Sequence, residues 1–284
     1  MTREQRLLAE TCEALGVSAS SVTSRPLGGG LLRRSFLLSS PAGEWVARLP
    51  VDSQDFFRLP VTDERALLRD IAAVGLTPPV VGANTGDVLV TAYLGSATVW
   101  SADSAREPEN INRIARRLRR LHGIAHDLPQ FQAASVAESY CQTAAAGQDL
   151  TSEQREWRRR YLDLANAYDE ASIPAALCHQ DLVAPNILDD GELWFIDFEY
   201  AVRADPILDL ASLASMNEYN SDECRHLLRA YYGEEVPSFS EKQLEDTTSM
   251  LQLQSYFWAL AKCSVDGSDP AVRQFVENMA AVLR

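Results

Sequence analysis

Between residues 173 and 200 a chain that reads as mainly helical from residue 108 onward loses its helical period, and this island constrains the architecture most. It runs His179-Gln180-Asp181-Leu182-Val183-Ala184-Pro185-Asn186-Ile187-Leu188, then Leu193-Trp194-Phe195-Ile196-Asp197-Phe198-Glu199-Tyr200. Asp190-Gly191 is a two-residue hairpin signal between two apolar strands. Such a hairpin sets Asn186, at the mouth of the first strand, beside Asp197, at the end of the second. Oxygens from Asn and Asp together suit a hard cation such as Mg²⁺, which keeps water and phosphate oxygens as its other ligands. Asp181, earlier on the same loop, is then placed to accept a proton from an attacking hydroxyl. Phosphoryl transfer uses these parts: metal ligands, a positioned base and charge stabilisation.

Sheet signals are confined to the beginning of the chain. Leu7, Leu8, Cys12 and Leu15 form a helical stripe that ends before Gly16. Short strands are expected at 22–26, 36–38 and 45–49, separated by Gly28-Gly29-Gly30 and by Ser39-Ser40-Pro41-Ala42-Gly43. A helix over 62–73, capped by Thr62 or Asp63, puts Glu64, Leu67, Leu68 and Ile71 on one face. A strand over 87–94 closes a small, mostly antiparallel sheet, and Gly95-Ser96 is the expected hinge. Helical stretches follow at 108–122, 131–147, 152–170, 206–216, 221–232, 240–263 and 270–283. The class is therefore α+β: a small sheet-bearing lobe over 1–94 and a mainly helical lobe over 95–284, with ligands expected where two such lobes meet.

Charge and cysteine content narrow the function. With 26 Lys+Arg against 40 Asp+Glu the net charge is −14, a field that repels nucleic acid and anionic lipid and favours a cationic substrate or a metal. The same field serves solubility. Arg113, Arg116, Arg117, Arg119 and Arg120 read as a solvated helix face, not a nucleic-acid patch. Five widely spaced cysteines without a C-x-x-C argue against a disulfide framework or structural zinc. With no apolar leader at the N-terminus and no run long enough to span a membrane, a cytoplasmic enzyme is expected.

The pattern H-x-D-x-x-x-x-N followed by I-D-F resembles the aminoglycoside phosphotransferase and choline kinase superfamily, relatives of the protein kinases. Asp197-Phe198-Glu199-Tyr200-Ala201 and Asp205-Pro206-x-x-Asp209-Leu210-Ala211 look most like the choline/ethanolamine kinase and thiamine kinase branch. The resemblance implies a bilobal kinase-like fold, with Asp181 as catalytic base and Asn186 and Asp197 as Mg²⁺ ligands. It implies that His179 braces the loop and that Asp209 supports the loop backbone; a plain helix N-terminal charge is the alternative for Asp209. No Ala-Pro-Glu-like motif closes an activation segment, which disfavours a protein kinase.

In the small lobe, Trp45-Val46-Ala47-Arg48-Leu49-Pro50 sits where the family carries a phosphate-binding cation, and Arg suits bidentate phosphate contact. Glu64 points inward with its apolar neighbours, and a buried carboxylate is costly unless paired. An Arg48–Glu64 pair accounts for both residues; a first-turn acid favoured by the helix dipole is the alternative. Gly29 and Gly30 match the family's turn over the nucleotide phosphates, although Leu32-Arg33 stand where the choline kinase pattern has Thr-Asn. Tyr93-Leu94 correspond to the hinge that pairs with adenine.

For the acceptor, Glu199, Tyr219, Tyr256 and Trp258 are candidates to surround a cation, with core packing the alternative for each aromatic. Ala261 replaces the second Trp of the family's Trp-x-x-Trp. The reading is ATP- and Mg²⁺-dependent phosphorylation of a small cationic alcohol, choline or ethanolamine first, thiamine or an aminoglycoside as alternatives. A nucleotide- or metabolite-binding protein that has lost catalysis is the rival from another class.

Overall fold

In the computed structural model, which describes residues 3–28, 34–49, 64–82, 88–147, 149–173, 176–266 and 270–284, helix α1 (Arg3–Ala14) precedes an antiparallel meander. Its strands are β1 (Thr23–Leu27), β2 (Arg34–Ser40), β3 (Gly43–Leu49) and, after helix α2 (Glu64–Ala73), β4 (Leu89–Ala92), in that spatial order. Register fixes which residues go inside. Phe36 pairs with Ala47, which pairs with Val90 on its other side. Two-residue alternation then gathers Phe36, Leu38, Ala47, Leu49, Val88 and Val90 into one core, against which Leu7, Leu8 and Leu15 pack. Arg48, one residue out of phase, belongs to the opposite face.

A second small sheet runs in the order β5 (Thr98–Val99), β7 (Ile187–Asp189) and β8 (Leu193–Phe195). The Phe195 N–H donates to the Leu76 carbonyl at 2.7 Å. The described residues up to Val99, together with Ile187–Phe198, form one compact unit; Trp100–Asn186 and Glu199–Arg284 form a second.

The second unit is helical: α3 (Ala102–Arg106), α4 (Pro108–His122), α5 (Ala133–Gly147), α6 (Ser152–Ala171), α7 (Ile207–Met216), α8 (Ser221–Tyr232), α9 (Ser240–Asp266) and α10 (Pro270–Leu283). Caps explain the boundaries. Thr151 with Gln154, and Asn220 with Glu223, form capping boxes at the starts of α6 and α8. Helix α9 buries Leu244, Met250, Leu253, Phe257 and Ala261 on several sides, because α5, α6, α7 and α10 all pack against it. On α4, Arg116, Arg119 and Arg120 face solvent, whereas Arg117 is buried. A two-stranded antiparallel ladder, β6 (Ala176–Cys178) with β9 (Val202–Ala204), interrupts the helices.

Two local expectations differ from the structure. The turn between β7 and β8 has three residues, not two, since Asp189 pairs with Leu193. Asp189 Oδ1 accepts from the Gly191 N–H, and Asp190 Oδ1 accepts from the Glu192 N–H and the Trp194 indole. These side-chain bonds stabilise a wider turn with Gly191 at φ +104°. The second strand also stops at Phe195, because Asp197 turns left-handed at φ +69°. Strand alternation therefore does not carry from Asp197 to Glu199. Thr62, Asp63, Gly29, Gly30, Leu32 and Arg33 lie outside the described residues. No described helix is long and apolar enough to cross a membrane.

Candidate active site

Strand β3 delivers Arg48, and the first turn of α2 delivers Glu64. Arg48 Nη1 lies 3.4 Å from Glu64 Oε1, and the two side chains are 12% and 15% exposed. The other guanidinium nitrogen, Nη2, pairs with Asp197 Oδ1. One cation thus holds two half-buried carboxylates, which offsets the cost of removing them from water. Asn and Asp tolerate the left-handed backbone that Asp197 adopts better than most residues. After β4, the Tyr93 N–H donates to the Glu44 carbonyl at 3.2 Å, and the Leu94 carbonyl accepts from the Ala97 N–H at 3.0 Å.

In the helical unit, β6 ends at Cys178 and the loop begins at once with His179. The Asp181 N–H donates to His179 Nδ1 at 3.2 Å, so the imidazole folds back on its own loop. Asn186 Nδ2 donates to the Asp181 carbonyl at 2.9 Å and to Asp181 Oδ2 at 3.0 Å. The amide thereby fixes both the backbone and the carboxylate of Asp181. Asp205, just before α7, accepts from the Ile207 N–H and starts that helix. Within the first turn of α7, Asp209 is fully buried. Its Oδ1 accepts from the Gln180 N–H at 2.7 Å and its Oδ2 from the His179 N–H at 2.9 Å. Gln180 is left-handed, at φ +69°.

His122 completes this arrangement. Its Nε2 lies 3.1 Å from Asp209 Oδ2 and its Nδ1 lies 2.6 Å from the Tyr231 hydroxyl. Burial, and then nearby Tyr232, Cys178 and the Asp209 and Asp205 carboxylates, push the Tyr231 phenol up, so it keeps its proton. In a neutral imidazole the phenol therefore donates to Nδ1, and Nε2–H donates to Asp209. Cys178 is close to His122 and Asp209, but burial and those carboxylates raise its thiol well above the ordinary value. Each Asp209 oxygen thus has a backbone N–H donor, from Gln180 and His179, and Oδ2 also faces His122 Nε2.

Asp209→Ala leaves two buried backbone N–H groups and an imidazole N–H without their acceptor. At about 1–3 kcal/mol for each buried group left unsatisfied, the unfolding free energy is expected to fall by about 3 kcal/mol or more, as read from urea denaturation.

Tyr219, Tyr256 and Trp258 each have a neighbour on a different helix. The Tyr219 hydroxyl donates to the Ala105 carbonyl of α3 at 2.5 Å. Tyr256 packs edge-on against Trp157 of α6, and its hydroxyl accepts from Gln154 at 2.7 Å. Trp258, two residues on, packs against Phe275 of α10. Glu199 is buried. His122 and Tyr231 did not emerge from the sequence; the available signal was spacing, since each falls four residues after a buried leucine, Leu118 and Leu227.

A model of the phosphotransferase enzyme family matches residues 23–243. The LicA protein of Haemophilus influenzae is 26% identical over 167 residues, 56% of this chain and 61% of that protein, so the match spans less than two thirds of the relative. The structure is similar to choline kinase LicA from Streptococcus pneumoniae, with TM-score 0.81 and 20% identity over 99% of both chains. It is also similar to a choline/ethanolamine kinase family protein from Mesorhizobium loti, with TM-score 0.78 and 22% identity, covering 98% of this chain and 93% of that one. These structures share the fold of this chain.

Proposed function

We propose, on the premise that this chain belongs to the phosphotransferase enzyme family and is therefore a kinase of small-molecule hydroxyls, that it moves the γ-phosphoryl group of ATP to a cationic amino alcohol of the choline class. The observation that carries the reading is the restraint on Asp181. Its carboxylate, its N–H and its carbonyl each have a side-chain partner within its own loop. A base so fixed needs little reorganisation to receive a proton.

The roles follow from the chemistry of each group. Asp181 takes the hydroxyl proton as the acceptor oxygen bonds to the γ-phosphorus. The bond to the bridging oxygen breaks, ADP leaves, and the products are a phosphate ester, ADP and a proton. His179, whose Nδ1 accepts from the Asp181 N–H, orients the loop and takes no part in proton transfer. We assign Mg²⁺ to Asn186 and Asp197. Both hydrogen bonds from the Asn186 side chain to Asp181 use its amide nitrogen, which leaves Oδ1 as its donor atom, and Asp197 offers a carboxylate. An oxygen-only set fits a hard cation. Bound there, Mg²⁺ would offset the negative charge of the phosphates. Arg48, held by Glu64, is assigned to the nucleotide phosphates, Gly29 and Gly30 to the turn above them, and Tyr93-Leu94 to the adenine. Nucleotide binding is assigned to residues 1–94, and catalysis and acceptor binding to residues 95–284.

Two facts support a cationic acceptor: the net charge of −14, and kinship in fold to a choline kinase. The test is ATP consumption with Mg²⁺ against choline, ethanolamine, thiamine and an aminoglycoside. Choline or ethanolamine is expected to give the highest kcat/KM; preference for thiamine or an aminoglycoside would reassign the acceptor, and silence across the panel with ATP still bound would favour a binding protein.

A further inference from the structure

Two peptide planes meet at Asp181, and their orientations set its φ and ψ and hence the direction of its Cα–Cβ bond. Each plane carries one N–H and one carbonyl. In the plane before Asp181, the N–H is bound by His179 Nδ1, and the Gln180 carbonyl accepts from Ser212 Oγ at 3.0 Å. In the plane after it, the Asp181 carbonyl is bound by Asn186, and the Leu182 N–H donates to the same Ser212 Oγ at 3.1 Å. A single hydroxyl on α7 therefore touches both planes, donating to one and accepting from the other. Ser212 and Leu182 are fully buried. The next plane is held from the end of the same helix: Asn217 Nδ2 donates to the Leu182 carbonyl at 2.9 Å and to the Leu213 carbonyl at 2.8 Å.

We propose that Ser212 and Asn217 are positioning residues for phosphoryl transfer, which clamp the backbone on both sides of Asp181 and aim its carboxylate at the acceptor hydroxyl. The proposal rests on Asp181 being the base. Asp209 and Ser212 lie three residues apart and so share one face of α7. Asp209 binds the loop N-terminal to the base, and Ser212 straddles the base. Gln180 requires such help, because a left-handed glutamine is disfavoured on its own and is held here at both its N–H and its carbonyl. Without Ser212 the two planes can rotate about Asp181, and a displacement of about 1 Å at a reacting group costs on the order of 100-fold in rate.

The experiment compares Ser212→Ala with Leu213→Ala, which removes buried volume from the same helix but no side-chain bond to the loop, and with Asp181→Asn. Steady-state kinetics with Mg²⁺, ATP and choline are read beside hydrogen exchange at the amides of residues 180–182. Ser212→Ala is expected to lower kcat about 10- to 100-fold with the KM for ATP within about twofold, and to speed exchange at those amides about tenfold or more. Leu213→Ala is expected to lose thermal stability but keep kcat within about threefold. Asn217→Ser, which spares both planes at Asp181, is expected to lose less, about three- to tenfold, and serves if Ser212→Ala does not fold. Wild-type kcat in Ser212→Ala, or a kcat loss in Leu213→Ala as large, overturns the clamp while leaving the base intact. Turnover in Asp181→Asn near wild type overturns the base and the clamp with it. If the wild type does not use choline, unchanged amide exchange in Ser212→Ala still rejects the clamp.

Discussion

Asp181→Asn is expected to bind nucleotide like the wild type and to turn over about 10²- to 10⁴-fold more slowly, the usual worth of a positioned base. The substitution suits the site. Asn is nearly the same size and keeps the backbone N–H and carbonyl that His179 and Asn186 hold. Only the oxygen that accepts from Asn186 is at issue locally, and an amide oxygen can still accept that bond. What disappears is the capacity to take a proton. The loss should therefore fall on kcat, with the KM for ATP within about twofold and little change in melting temperature. Equal losses in kcat and in stability would mean that Asp181 supports the loop and does not act on the hydroxyl.

Asp197→Asn is expected to abolish Mg²⁺-dependent nucleotide binding and to lower kcat/KM by about 10³-fold. This corresponds to several kcal/mol of charge stabilisation from a bound divalent ion, at 1.36 kcal/mol per factor of ten. Asn is preferred to Ala here because the residue sits at φ +69°, where Asn is among the few side chains at ease. A backbone effect is thus kept out of the result. The charge change also frees Arg48 from one of its two carboxylates and leaves it paired with Glu64. Magnesium-independent binding of ATP should consequently persist or tighten slightly, as one negative charge no longer opposes the phosphates. Calorimetric titration of ATP with and without Mg²⁺ separates the two effects. Unchanged metal dependence would remove Asp197 from the metal site.

The loop from His179 to Asn186 was legible because its contacts are local: the proposed base Asp181, His179 and Asn186 lie within eight residues and bond to one another. The Arg48–Glu64 contact was legible for a different reason. The family resemblance marked Arg48 as a cation that needs a partner, the helix face left Glu64 with the apolar residues, and two such charges of opposite sign need each other. Ser212, Asn217, His122 and Tyr231 were not legible. They are ordinary residue types on ordinary helices, and their meaning arises only when α4, α7 and α8 surround the loop backbone. The end of β8 was misjudged because Ile196-Asp197-Phe198 has the apolar texture of a strand, whereas a single left-handed residue stops it. Aromatic composition likewise could not tell Tyr256 from Trp258. Two residues apart on one helix, they turn to different neighbours, α6 and α10.

Phosphorus-31 spectroscopy of the wild-type enzyme with Mg²⁺, ATP and choline tests the central claim most directly, because it observes the bond that forms. The account predicts a phosphate monoester resonance that grows in step with ADP and is lost in Asp181→Asn. Release of inorganic phosphate alone, or an ester formed equally well by Asp181→Asn, would contradict it.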